Sequence, residues 1–212
     1  MRLFGRTTSI NVQKVLWTLQ ELGVRYDQVD LGGAFGGLDT DEYGTMNPNR
    51  RVPLLVDGDL TLWESNAIVR YLSNSYGGGS LAGTNSAKVA RADMWMEWFQ
   101  NNCYAHYIAL FHQMVRLPKS QRNQDERDRA ITGLIQSFEM LNAHLGDNRF
   151  VAGDDFSMGD IVVGASLFRY FAMDFDRPDL PKLTSFYDQL SQRDAYRKTV
   201  MTSFDSLKAK EE

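Results

Sequence analysis

The chain has 212 residues, 43% hydrophobic and 24% charged, with 23 Lys and Arg against 27 Asp and Glu for a net charge of -4. That length allows one large domain or two small ones, and the composition excludes wholesale disorder. The acidic balance argues against a nucleic-acid partner, no stretch nears the roughly 18–20 apolar residues of a membrane span, and one cysteine, Cys103, excludes an internal disulfide and fits a reducing cytoplasm.

The opening residues lack the apolar core of a signal peptide. Leu3-Phe4 reads as a short strand ending at Gly5. Val12, Val15, Leu16, Leu19 and Leu22 recur at helical spacing, and Gly23 follows as a stop signal. Val29 and Leu31 alternate with polar neighbours as a second strand. Gly32 to Gly37 reads as a loop. Leu54-Leu55-Val56 and Leu60-Thr61-Leu62-Trp63 flank Asp57-Gly58-Asp59, a hairpin signal, since Asp-Gly suits the positive φ of a tight turn. Ala67, Ile68, Tyr71 and Leu72 form a helical face. This order predicts a small α/β unit with a mixed sheet.

Gly77-Gly78-Gly79-Ser80 and Gly83-Thr84-Asn85-Ser86 mark a linker, so the expected domains are residues 1–78 and 87–212. Beyond the linker the pattern is all-helical. Predicted helices cover Ala87 to Val115, Asp125 to Leu145, Ser157 to Phe171, Leu183 to Leu190 and Tyr196 to Leu207. The aromatic run from Trp95 to Phe111 reads as mostly core. Phe99, Tyr107 and Phe111 are its candidates for an apolar substrate pocket facing the first domain. Cys103 reads as a buried small hydrophobe. His, Cys, Asp and Glu show no metal-ligand spacing, so no metal is expected.

Three segments carry candidate chemistry. Ser9-Ile10-Asn11-Val12 opens the first helix, where Ser is an ordinary cap. The same hydroxyl, beside free backbone N–H groups, would also stabilise an anion such as a thiolate. The tetrad holds no sulfur, so thiol chemistry there would use a thiol brought by a ligand. Pro53, opening a strand, is either an inconsequential edge proline or a cis proline in a sharp turn. The turn would leave the Val52 N–H and C=O free to pair with an extended peptide-like ligand. Glu64-Ser65 precedes the next helix. Ser65 reads as its cap, and the pair suits the head group of an α-amino acid. Ser157-Met158-Gly159-Asp160 matches a capping box, which serves folding.

In this order, Ser9-Ile10-Asn11-Val12-Gln13-Lys14-Val15, Asn47-Pro48 with Val52-Pro53-Leu54-Leu55, Trp63-Glu64-Ser65-Asn66-Ala67-Ile68, and Phe156-Ser157-Met158-Gly159-Asp160 resemble the cytosolic glutathione S-transferase family. The flavour is that of bacterial theta-like or beta-like serine-type members, without the catalytic cysteine. The resemblance implies a thioredoxin-like N-terminal domain, an all-α C-terminal domain and a cytoplasmic homodimer. Glutathione would be the co-substrate, conjugated to a small hydrophobic electrophile in a detoxifying reaction. By the same resemblance Ser9 and Asn11 are the catalytic candidates. Val52 and the cis Pro53 would pair with the cysteinyl part of glutathione, Glu64 and Ser65 would grip the γ-glutamyl end, and Arg51 would lie near the ligand. Two departures stand out: Arg50 where relatives often carry Gly, and Leu38-Asp39 where many carry a His-Lys pair for the glycyl carboxylate. Two other functions fit the pattern, a glutathione-dependent disulfide reductase or peroxidase and a non-catalytic binding or regulatory scaffold.

Overall fold

The computed structural model describes residues 1–210. Residues 211 and 212, the end of the expected second domain, lie outside them. The first lobe contains β1 (Arg2–Phe4), α1 (Ile10–Glu21), β2 (Asp27–Val29), α2 (Asp41–Met46), β3 (Leu54–Asp57), β4 (Leu60–Trp63) and α3 (Ser65–Tyr76). The sheet order is β2-β1-β3-β4, with β1 and β2 parallel and the other pairs antiparallel. Parallel neighbours need a crossover, and α1 supplies it. In this register Leu3 faces Leu55, and both pack against Val12, Val15, Leu16 and Leu19 of α1 and Ile68 and Leu72 of α3. Phe4 and Leu54 turn to the opposite side, onto Tyr43 of α2.

Local chemistry sets the boundaries. Gly23, at φ +63, closes α1: its N–H bonds Gln20 O, and the Val24 N–H bonds Leu19 O. Gly58, at φ +59, occupies the first central position of the β3–β4 hairpin. The α3 start departs from expectation. Ser65 is the first helical residue rather than the cap, and Glu64 takes the cap position at φ +71 with no side-chain capping bond. Leu31 lies beyond the end of β2.

The helical lobe contains α4 (Ser86–Trp98), α5 (Tyr104–Phe111), α6 (Gln124–His144), α7 (Met158–Gly164), α8 (Leu167–Ala172), α9 (Pro181–Ser191) and α10 (Asp194–Thr199). The predicted 87–115 helix is interrupted by π-helical turns at Phe99–Cys103 and His112–Arg116. At the first, the amides of Asn101 and Asn102 bond the carbonyls of Glu97 and Trp98, competing with the regular ladder. The 157–171 helix splits at Ala165-Ser166, where the Ser166 hydroxyl bonds Val163 O. The last predicted helix ends at Thr199 and returns only as a single turn at Asp205–Leu207.

Every residue of α7 is buried. Its start is tied by Asp160, wholly buried, which accepts from the N–H of Val151 and from both the N–H and the hydroxyl of Ser157, each at 2.8 Å. Burial pushes this carboxyl up to about 6 against the pull of those donors.

The two lobes meet along α1, which is buried almost all round. Ile10 and Trp17 belong to the core of the helical lobe, while Val12, Val15, Leu16 and Leu19 belong to that of the sheet. The Trp17 indole packs edge-on against Tyr196 at 4.6 Å. Arg193 grips Glu21 with two bonds of 2.7 Å and stacks over Phe156 at 3.7 Å. The N-terminus of α1 is thereby fixed between sheet and helical lobe.

Candidate functional site

A two-part cleft opens at that N-terminus. The smaller part, about 240 Å³, runs along the start of β3 to the start of α3 and is lined by Val52, Pro53, Trp63, Glu64 and Ser65. The larger, about 380 Å³, lies between Ser9, Leu38 and the helical lobe. Asn11, Arg51, Val52 and Tyr104 line both. A larger depression of about 630 Å³ lies on the linker, away from every expected site residue.

Each wall has an identifiable origin. Ser9 sits at the cap position of α1 in extended conformation, and its hydroxyl makes no capping bond. The orphan N–H groups of the first helical turn lie beside it. Asn11 donates to the Tyr104 hydroxyl at 2.9 Å, and its Oδ1 is buried without a partner. The Val52–Pro53 peptide is cis. Among the described residues the Val52 N–H and C=O have no backbone partner. The turn before it is pinned from α2: Tyr43 Oη and Asn47 Nδ2 both donate to Arg51 O at 2.7 Å. Asn47 Oδ1 accepts from Asn49 N at 3.0 Å.

Arg50 holds φ +50 and donates to the carbonyls of Leu38 and Thr40 at 3.1 and 2.8 Å. This guanidinium anchors the loop before α2. Asp39 is exposed and does not line the cleft.

Glu64 is strained as well as exposed. A non-glycine residue at φ +71 costs on the order of 1 kcal/mol, a cost typical of functional positions. Beneath it lies Lys14, wholly buried. Its Nζ donates to Asn66 Oδ1 at 3.3 Å and sits over the rings of Phe99 and Tyr104 at 5.5 and 5.3 Å. Burial lowers its pKa from 10.5 to about 7, and the Glu64 carboxylate opposes that fall.

The structure brings Ser9, Asn11, Arg51, Val52, Pro53, Glu64, Ser65 and Phe111 to one cleft. It does not bring Phe99 or Tyr107. Both are fully buried in the helical core, which corrects the expectation that they line a pocket. The reason is helical phase: Tyr104, Ile108 and Phe111 line the cleft from α5, with Phe111 also packed into the helical core, whereas Cys103, Tyr107 and Leu110 lie on the core stripe. Cys103 is fully buried with its thiol pushed up to about 12 by burial, so it supplies no reactive sulfur. The sequence reasoning missed Tyr104, Arg116 and Arg169. The i,i+4 spacing of residues 104, 108 and 112 was the available signal for the α5 stripe. An arginine within the most apolar helical stretch was the signal for Arg169.

A small mixed-sheet lobe presenting a free hydroxyl and an unpaired peptide to a cleft roofed by an all-helical lobe defines a class: a two-lobed protein with a thioredoxin-like first lobe. Family models agree. Residues 1–74 match the glutathione S-transferase N-terminal domain, and residues 124–189 match its C-terminal domain. The chain is 38% identical over 201 residues to glutathione S-transferase GstB of Escherichia coli K12, covering 94% of this chain and 97% of that one. It is 28% identical to glutathione S-transferase 1 of Triticum aestivum over 93% of this chain and 92% of the relative. It superposes with a TM-score of 0.92 and 40% identity on the theta-class enzyme of Xanthomonas axonopodis pv. citri, solved with glutathione bound, over 95% of this chain and 97% of that one. The chain belongs to the glutathione S-transferase family, and among the described residues no helix is long and apolar enough to cross a membrane.

Proposed function

We propose that glutathione lies across the two-part cleft with its sulfur at the N-terminus of α1, and that the enzyme transfers this thiol to a small electrophile. The cysteinyl unit pairs with the Val52 peptide, extending the edge of β3 by a short strand. Glu64 and Ser65 take the γ-glutamyl ammonium and carboxylate in the smaller part. Arg51, on the wall common to both parts, lies toward the glycyl end. The observation that carries the reading is the uncommitted Ser9 hydroxyl beside the orphan N–H groups of α1.

Catalysis is then thiol ionisation plus proximity. The bound thiol loses its proton to solvent. Ser9 donates its O–H to the resulting thiolate, with Asn11 as a second polar group at the junction. The sulfur forms a bond to the electrophilic carbon as the leaving group departs with its electron pair. Residues 1–78 act as the glutathione-holding domain, and residues 87–212 complete the second-substrate part. A homodimer belongs to the same reading. The same reading makes it a cytoplasmic, detoxifying enzyme.

The test is thiolate absorbance of bound glutathione across pH. The thiolate band is expected at least one pH unit below the free-thiol value of about 8.5, and Ser9→Ala should move it back toward that value. Binding with a thiol that still ionises near the free value of about 8.5 would overturn the mechanism. Absence of binding would overturn the proposal.

A further inference from the structure

The larger part of the cleft is basic. Arg6, Arg51, Arg116 and Arg169 line it, and no Asp or Glu does. None of these arginines belongs to an ion pair among the described residues. Three of them also carry a buried Nε with no hydrogen-bond partner: Arg6, Arg116 and Arg169. Arg169 is only 2% exposed. Its Nη2 donates to Thr8 O at 2.8 Å, one residue before the catalytic candidate Ser9, and its guanidinium lies over the Phe111 ring at 5.0 Å. Arg116 lies over the same ring at 5.7 Å.

Like charges gathered under partial burial are costly until an anion completes them. Burial, then the neighbouring guanidinium groups, lowers the pKa of both Arg6 and Arg116. The planar fork of arginine matches a carboxylate or sulfonate. Ile108 and Phe111 supply apolar wall beside it, and the volume suits a molecule of about one substituted ring. Glutathione brings its own glycyl carboxylate, for which Arg51 on the shared wall is placed. Arg116 and Arg169 line only the larger part, away from Val52, Glu64 and Ser65.

We propose that the second substrate is an anionic electrophile, whose carboxylate docks on Arg116 and Arg169 while its reactive carbon faces the sulfur beside Ser9. This rests on the glutathione-transfer reading above. In the reaction the thiolate forms a C–S bond, the bond to the leaving halide breaks, and the halide departs with the electron pair. The carboxylate is unchanged throughout.

The test compares a chloronitrobenzoate with the matching chloronitrobenzamide, which differ only in carboxylate against amide, each rate being divided by its uncatalysed rate. The benzoate should be preferred at least about tenfold in kcat/KM, the worth of one charge-assisted bond. Arg116→Gln should collapse that ratio toward one, and Arg116→Lys, which keeps the charge without the planar fork, should retain part of it. Equal use of the two compounds, or preference for the amide, would overturn the proposal. So would an Arg116→Gln variant that loses glutathione affinity as much as benzoate preference, since the cluster would then serve the glycyl carboxylate. If neither compound turns over, the two arenes are not substrates, and the transfer reading is judged by the thiolate titration above. Calorimetric binding of the two synthetic glutathione conjugates then decides the anion site: tighter binding of the carboxylate conjugate, lost in Arg116→Gln, supports it, and equal binding overturns it.

Discussion

Ser9 and Ser157 occupy the cap positions of α1 and α7, and the two starts are built oppositely. At α7 the Ser157 N–H, the Ser157 hydroxyl and the Val151 N–H all end on the buried Asp160 carboxylate. At α1 the Ser9 hydroxyl bonds nothing in its helix, no acidic residue stands in the first turn, and a cleft lies in front. A helix start closed by its own side chains contributes to folding. A start left open, with its dipole facing a cavity, is available to an anion from outside. The difference lies in what surrounds each serine, not in the serine.

Removing the closure at α7 should have the largest effect. Asp160→Ala strands three buried donors and should destabilise the protein by about 3–5 kcal/mol, read as a lower urea midpoint at unchanged slope. Next comes the buried base of α1. The Lys14 amine titrates near 7 when folded and near 10.5 when unfolded, so the unfolded chain binds more protons between those values and stability rises with pH across that window. From pH 7 to about pH 9 that gain is on the order of 2–3 kcal/mol. Lys14→Met should abolish it, as urea unfolding at both pH values would reveal.

Ser9→Ala tests the open start directly. Turnover should fall about 100-fold, the usual effect of losing one donor to a developing anion, while stability moves by less than about 0.5 kcal/mol because no capping bond is lost. A large stability loss with intact turnover would make the two serines equivalent and erase the contrast. The smallest effect belongs to α6, an intermediate case. There Asn123 Oδ1 accepts from Glu126 N at 3.0 Å on an exposed surface. Asn123→Ala should cost about 1 kcal/mol in thermal or urea unfolding and leave turnover unaltered.

Much of this was legible in the residues. The capping box at Ser157 and Asp160 is a local pattern spanning four positions, and local patterns survive folding. The hairpin at Asp57-Gly58-Asp59 and the stop at Gly23 are legible for the same reason. Ser65 was misplaced by one position because the positive φ of Glu64 is imposed by the strand-to-helix turn. Phe99 and Tyr107 lie on the core side of the aromatic run, and a repeating pattern cannot show which stripe meets another lobe.

The sequence by itself determined the mixed α/β lobe, the all-helical lobe and the segments that border the cleft, since each depends on periodicity, turn chemistry or capping within a few residues. The tertiary structure alone decided the charge of the larger cavity. Arg6, Arg116 and Arg169 stand far apart in the chain, and only the docking of the helical lobe on α1 gathers them. It also decided that Lys14, unremarkable on a helix, is sealed beneath Glu64 and Asn66. Burial and like-charge proximity are properties of packing between distant segments, and no local pattern encodes them.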